Sequence, residues 1–229
     1  MGPTAPKFLP LGDSALQIVF GDRLDPAVSR YALALSQRVK NLSGLTDRVP
    51  AYASLTLHYD PQIWTHAELV ESLKALLGDV DCETDDGETL TVPICYGGEY
   101  GPDLDEVAQH TGLSPDEVVT RHSGGLYRVH FIGFMPGFPY LGGLDPALST
   151  PRRAEPRTLV PAGSVGIAGD QTGIYPLASP GGWRIIGRTP LRLFDPGRDP
   201  PCLLSPGDRI RFVPTGPEEF ARECAETRQ

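Results

Sequence analysis

Arg152, Arg153 and Arg157 stand together in "TPRRAEPR", residues 150–157, a segment stiffened by Pro151 and Pro156. Guanidinium forks suit carboxylate or phosphate groups. The same three side chains would also serve as a solvated surface, or pair with Glu155, Asp145 or a partner protein. Further on, "GDQTGIYPLASPGGW" sets Gln171 and Thr172, an amide and a hydroxyl, between two glycines and follows them with Tyr175 and Trp183. An amide side chain offers one donor and one acceptor face, so Gln171 could read an amide-containing substrate. A hairpin turn that satisfies its own backbone would use the same residues. Upstream, "GFMPGFPYLGGL", residues 133–144, packs two Phe, a Met, a Tyr and two Leu among glycines and prolines. There the prolines restrict φ and the glycines let backbone approach a ligand, next to Phe134, Phe138 and Tyr140. The stretch reads either as a binding loop for a flat amide or ring, or as a tight barrel corner plugged by aromatics. Two histidines are near these segments. His122, at the end of a helix, is a candidate proton-transfer group that would otherwise serve as a dipole contact; His130 reads as an exposed strand residue. Asp195 in "FDP" is a possible base but suits a turn cap better.

Elements must position these residues. In the first third, Leu16, Ile18 and Phe20 alternate as on a strand, Asp25-Pro26 opens a helix, and Val28, Tyr31, Leu35, Val39 and Leu42 share its face before Gly44. A second strand carries Leu55, Leu57 and Tyr59, with His58 on the solvent side. Thr65 and Glu68 then form a capping box for a helix bearing Leu69, Val70, Leu73, Leu76 and Leu77. The acidic stretch "DVDCETDDGE", residues 79–88, breaks all periodicity and reads as a linker with a boundary near residue 86. Beyond it come a strand with Leu90, Val92 and Ile94 inward, a short helix from Asp103, and a helix capped by Ser114 and Glu117. From Leu126 the pattern is "LYRVHFIG", "TLVPAG", "SVGIAG", "GWRIIGR", "LRLF", "CLLS" and "RIRFVP", short strands at the spacing of a closed barrel. The expected fold class is α+β: an N-terminal α/β sandwich-like domain over residues 1–86 and a β-barrel domain over 87–229.

Composition excludes several functions. A net charge of -9 without any Lys/Arg block argues against nucleic acid or an anionic membrane as partner. Lysine occurs only at positions 7, 40 and 74, which rules out a catalytic lysine in the barrel domain. No glycine precedes a lysine, so the chain has no P-loop of its own, and it has no H-E-x-x-H and no G-x-S-x-G. Cys82, Cys95, Cys202 and Cys224 lack zinc-site spacing and read as free thiols of a reducing compartment; no metal site is expected. No apolar run approaches the ~20 residues of a membrane span, so a soluble, cytoplasmic protein is expected.

Taken in order, "VPICYGGEYGPDL", "GFMPGFPYLGGL", "TPRRAEPR", "VPAGSVGIAGDQTGIYP", "SPGGWRIIGRTPLRLFDP" and "LLSPGDRIRFVP" resemble the B-subunit family of bacterial ATP-dependent 5-oxoprolinase. That family also includes a sporulation kinase-A inhibitor protein and the first allophanate hydrolase subunit, a carboxyltransferase-type domain found also within urea carboxylase. The likeness is strong over residues 92–213 and extends to the N-terminal third in layout. It implies a cyclophilin-like barrel behind an α/β domain, and a complex of subunits A, B and C that opens the lactam of 5-oxo-L-proline to glutamate with ATP hydrolysis. ATP is then used by the complex, and no cofactor is assigned to this chain. On this resemblance Gly137, Phe138 and Tyr140 shape a pocket, Arg157 or Arg188 meets a carboxylate or phosphate, and Gln171 and Thr172 contact the amide. The family leaves two other functions open, inhibition of a sensor histidine kinase and a carboxyltransferase role in urea degradation.

Overall fold

The computed structural model describes residues 6–22, 25–80 and 89–226. They fall into two compact units, Met1–Asp86 and Gly87–Gln229. The boundary expected near residue 86 and most of the acidic linker lie outside the described residues.

In the first unit, β1 (Lys7–Pro10), β2 (Ala15–Val19), α1 (Pro26–Arg38), β3 (Leu45–Pro50), β4 (Ser54–Tyr59) and α2 (His66–Leu76) form two layers. The antiparallel sheet has the order β1-β2-β4-β3. Pairing of Leu16 with Leu57 and Ile18 with Leu55 puts all four side chains on one face. Both helices cover that face, through Tyr31, Ala32 and Leu35 of α1 and Leu69 and Leu73 of α2. The helix starts follow from their caps: Asp25 accepts from Ala27 N–H, and Thr65 and Glu68 form a reciprocal capping box.

The second unit runs β5 (Thr89–Tyr96), α3 (Leu104–Thr111), α4 (Pro115–Gly124), β6 (Tyr127–Ile132), β7 (Pro139–Gly142), β8 (Arg157–Val160), β9 (Ser164–Ala168), β10 (Gln171–Ile174), β11 (Ser179–Gly181), β12 (Arg184–Arg188), β13 (Arg209–Pro214) and α5 (Pro217–Glu226). Seven strands close a barrel in the order β10-β7-β6-β13-β5-β12-β9, while β8 and β11 form a separate two-stranded sheet. The fold is α+β with a closed barrel. Two expected strands are corrected: "LRLF" and "CLLS" meet in a single bridge, Phe194 to Cys202, because the intervening prolines withdraw the N–H donors a ladder needs. In this unit three short strands arise where loop was expected, β7 inside "GFMPGFPYLGGL", β10 starting at Gln171, and β11. His130 is also corrected. A bulge between Val129 and Phe131 breaks the alternation of β6, and the imidazole packs, buried, over Gly142, where a Cβ would lie 1.9 Å from its Nε2.

Inside the barrel, His122 of α4 is fully buried and stacked on Phe212, with ring centroids 4.7 Å apart. Thr172 donates its only hydroxyl hydrogen to Gly166 C=O at 2.9 Å, so it accepts from His122 Nε2–H at 3.0 Å. Nδ1 is then left to accept from the Tyr96 hydroxyl at 2.8 Å. Both ring nitrogens are satisfied in the neutral form, and burial pushes the imidazole down to about 3 from its ordinary 6.5. The proton-transfer role expected of His122 gives way to a core role: the ring is sealed from solvent and neutral at physiological pH. Between pH 6.5 and 3 the unfolded chain takes up this proton and the folded chain does not. The stability linked to His122 is therefore complete above ~6.5 and drains away as pH falls toward 3. Denaturant unfolding from pH 7 to pH 4 should show stability falling by up to ~1.4 kcal/mol per pH unit from this group, and His122→Gln should flatten that part of the slope.

Candidate functional site

An aromatic cup of about 260 Å³ opens on the barrel unit, lined by Phe134, Phe138, Tyr140, Arg152, Pro156, Tyr175, Pro180, Gly181, Gly182 and Trp183. Its floor is Phe138, 1% exposed, which lies edge-on to Tyr175 and Trp183 at 5.2 and 5.5 Å between centroids and tilts against Tyr140 at 4.9 Å. These contacts sit in the favourable range for aromatic pairs and hold the floor rigid. Below it, Val160, Ala168 and Ile185 complete a small core distinct from the main barrel core. The floor is delivered by a turn. Phe138 N–H donates to Met135 C=O at 3.1 Å, with Pro136 and then Gly137 at φ +78° between them, the residue pair that a type II turn requires. One residue before this turn, Phe134 takes φ +68° and stays 65% exposed, edge-on to Phe138 at 5.6 Å. A bulky side chain in the left-handed region is strained, a cost of order 1–3 kcal/mol that is characteristic of ligand clamps.

The arginine side of the cup depends on a carboxylate elsewhere in the sequence. Asp103 stands at the start of α3 yet makes no side-chain cap to its own helix. Its carboxylate, 1% exposed, accepts from Arg153 at 2.8 Å, from both terminal nitrogens of Arg157 at 2.7 Å each, and from Ile185 N–H at 2.7 Å. Burial alone would raise its pKa; the bonds from Arg157 and Ile185, with the charges of Arg157 and Arg153, outweigh burial and hold it below the ordinary carboxylate range. Glu106, one turn along α3, pairs with Arg184 and lies 3.6 Å from Arg153. The segment is also tied through its backbone: Arg153 N–H donates to Gly182 C=O at 2.8 Å, and Thr150 exchanges bonds with Gly169. Burial raises the phenol of Tyr140 against the charge of Arg152, and that of Tyr175 against a backbone hydrogen bond from Trp183 and the charge of Arg152, so both are neutral hydroxyls at neutral pH. Among the described residues, no carboxylate, histidine, cysteine or lysine lines the cup. The lining thus combines aromatic faces, hydroxyl donors and the positive charge of Arg152.

The family model for the carboxyltransferase domain, subdomain C and D, matches residues 6–204. Curated relatives include the 5-oxoprolinase B subunit of Bacillus subtilis (strain 168), 42% identical over 92% of this chain and 93% of the relative. The same-named protein of Escherichia coli O157:H7 is 45% identical over 89% and 94%. The chain belongs to the carboxyltransferase-domain family of 5-oxoprolinase B subunits. A solved family structure, a conserved uncharacterized protein from Pyrococcus horikoshii, is 48% identical over 93% of this chain and all of that one, with a TM-score of 0.58. The fold alone recurs in Kluyveromyces lactis urea amidolyase at 21% identity and a TM-score of 0.77, over 97% of this chain and 15% of that one.

Of the residues singled out from the sequence of this B-family chain, the cup brings together Phe138 and Tyr140. Gly137 shapes the turn behind them, and a Cβ there would come 2.9 Å from Phe194 Cβ. Arg157 does not line the cup and gives a bond from each terminal nitrogen to Asp103; Asp145, offered as an arginine partner, holds Arg121 instead. Thr172 points into the barrel and is used by His122 and Gly166, while Gln171 begins β10, half-buried; neither lines the cup. Arg188 donates to Ala162 C=O at 2.7 Å and borders a different cavity of about 330 Å³ with Arg192 and Cys224. Phe134, Arg152, Tyr175 and Trp183 stand out in the sequence without being assigned to a site there, and the structure adds all four to the lining. Their signal is bulky side chains in segments rich in glycine and proline. Asp103→Asn leaves two arginines facing a neutral amide in a buried place, and urea unfolding should show a loss of about 3–5 kcal/mol. The Asp103 contribution is present above the ordinary carboxylate range and lost as pH falls through its depressed folded value, so the gap between wild type and variant should close in acid.

Proposed function

We propose that this chain is the B subunit of an ATP-dependent 5-oxoprolinase, working in the cytoplasm with subunits A and C to hydrolyse 5-oxo-L-proline to L-glutamate. The observation that carries the reading is identity of 42% and 45% to proteins named as the B subunit of 5-oxoprolinase, over about nine-tenths of both partners. The cup suits such a role. A five-membered lactam is small, has an apolar edge for Phe138 and Trp183, and has a carbonyl oxygen that can accept from a tyrosine hydroxyl. Opening the ring adds water across its C–N bond, freeing the α-amine and a new carboxylate. Activation of the amide oxygen by phosphoryl transfer from ATP, which leaves ADP and phosphate, makes the carbon electrophilic enough for water to attack. The cup supplies no general base for that attack, so in this scheme the chain holds and orients the lactam while partner subunits supply the ATP-dependent step. No helix among the described residues is long and apolar enough to cross a membrane.

Reconstitution with the A and C partners tests this. ATP-dependent glutamate release from 5-oxo-L-proline should fall to background when this chain is left out; an unchanged rate would sink the assignment. Phe134→Ala, at an exposed position that the fold does not need, should lower kcat/KM for 5-oxo-L-proline roughly tenfold by removing one wall of the cup.

A further inference from the structure

We propose that Arg152 reads the carboxylate of the lactam, making this chain the part of the complex that selects a cyclic acid over its neutral analogue. The inference rests on the B-subunit reading above and goes beyond it by assigning the acid-recognising group.

Among the described residues four arginines surround the cup, and three are committed. Arg153 and Arg157 neutralise Asp103, and Arg184 pairs with Glu106. Among the described residues no carboxylate pairs with Arg152, and it is the cationic side chain in the cup lining. Its place is fixed although its guanidinium is open: Pro151 C=O accepts from Arg184 Nε at 3.4 Å on one side, and Arg153 is bound at backbone and side chain on the other. A positive side chain held on a braced backbone beside apolar walls is complementary to a small apolar ring that bears an anion. Arg152 shares the cup lining with the phenols of Tyr140 and Tyr175, which feel its charge. At about 260 Å³ the cavity is below the ~300–1,000 Å³ of drug-sized sites, which favours a single small ring over a peptide or a nucleotide. Asp103 has a specific part in this arrangement. By holding the forks of Arg153 and Arg157, it leaves Arg152 as the guanidinium in the cup lining.

The test is kinetic, in the reconstituted complex of all subunits, with 5-oxo-L-proline as substrate and 5-oxo-L-prolinamide as competing inhibitor. Wild type should bind the acid at least ~10-fold better than the amide. Arg152→Gln should raise KM for the acid by about 10–100-fold, the range of a charge-assisted hydrogen bond, with kcat changed much less and the inhibition constant of the amide unchanged. Arg152→Lys should recover part of the loss, keeping the charge without the fork. A near-UV circular dichroism spectrum like that of wild type shows that the aromatic cluster is intact in each variant. If the wild-type complex turns over the lactam and Arg152→Gln keeps its KM and its preference for acid over amide, the arginine assignment is wrong and the B-subunit reading stands. If the wild-type complex does not turn over the lactam, both are wrong.

Discussion

Burying a carboxylate is costly unless its charge and lone pairs are met, and Asp103 meets that condition with four hydrogen bonds from three residues distant in sequence. The chain around it depends on this. Arg153 and Arg157 belong to a proline-rich segment without regular ladder partners over most of its length, and Ile185 belongs to β12. A single carboxylate at the entrance of α3 therefore pins the segment against the barrel and sets where Arg152, Pro156 and Trp183 lie. The aromatic floor adds rigidity, but it could not fix the arginine side of the cup alone.

The two polar networks of the barrel unit divide their tasks. The His122, Tyr96 and Thr172 network is sealed in the main core, where neutral donors and acceptors are matched one to one. Such a network favours one packing of α4 against the strands and contributes no titratable group at neutral pH. The Asp103 network is charged and sits at the edge of the cup, where it governs electrostatics. The cup itself is apolar on its floor and has Arg152 as the one charged side chain in its lining, with no carboxylate, histidine, cysteine or lysine there among the described residues.

Much of the fold was legible because local rules and tertiary burial agree. The capping boxes at Thr65 and Ser114 and the strand alternation of Leu55, Leu57 and Tyr59 each state in four or five residues what the structure builds. The site was less legible, for two reasons. Segments of three or four residues, such as β7 and β10, are too short to show a period, so Gln171 and Thr172 read as a turn when the turn ends just before them. And the state of an arginine depends on a partner invisible from its own neighbourhood. Nothing in "TPRRAEPR" tells that Arg157 is spent on Asp103, some fifty positions upstream, while Arg152 is not. His130 shows the same limit, since one bulge moves it from the exposed face to the interior.

The pairing of β13 in parallel with β5, and antiparallel with β6, places the last strand of the barrel between two of its earliest. Without β13 the other six strands form an open sheet whose two rims, β5 and β6, have unpaired backbone groups. During synthesis every residue of the cup leaves the ribosome before the strand that closes the barrel, so the nascent domain must wait with both rims sticky. Loss of a few residues near position 210 would thus do more than shorten the chain: it would convert a sealed cylinder into a sheet ready to recruit strands from its neighbours.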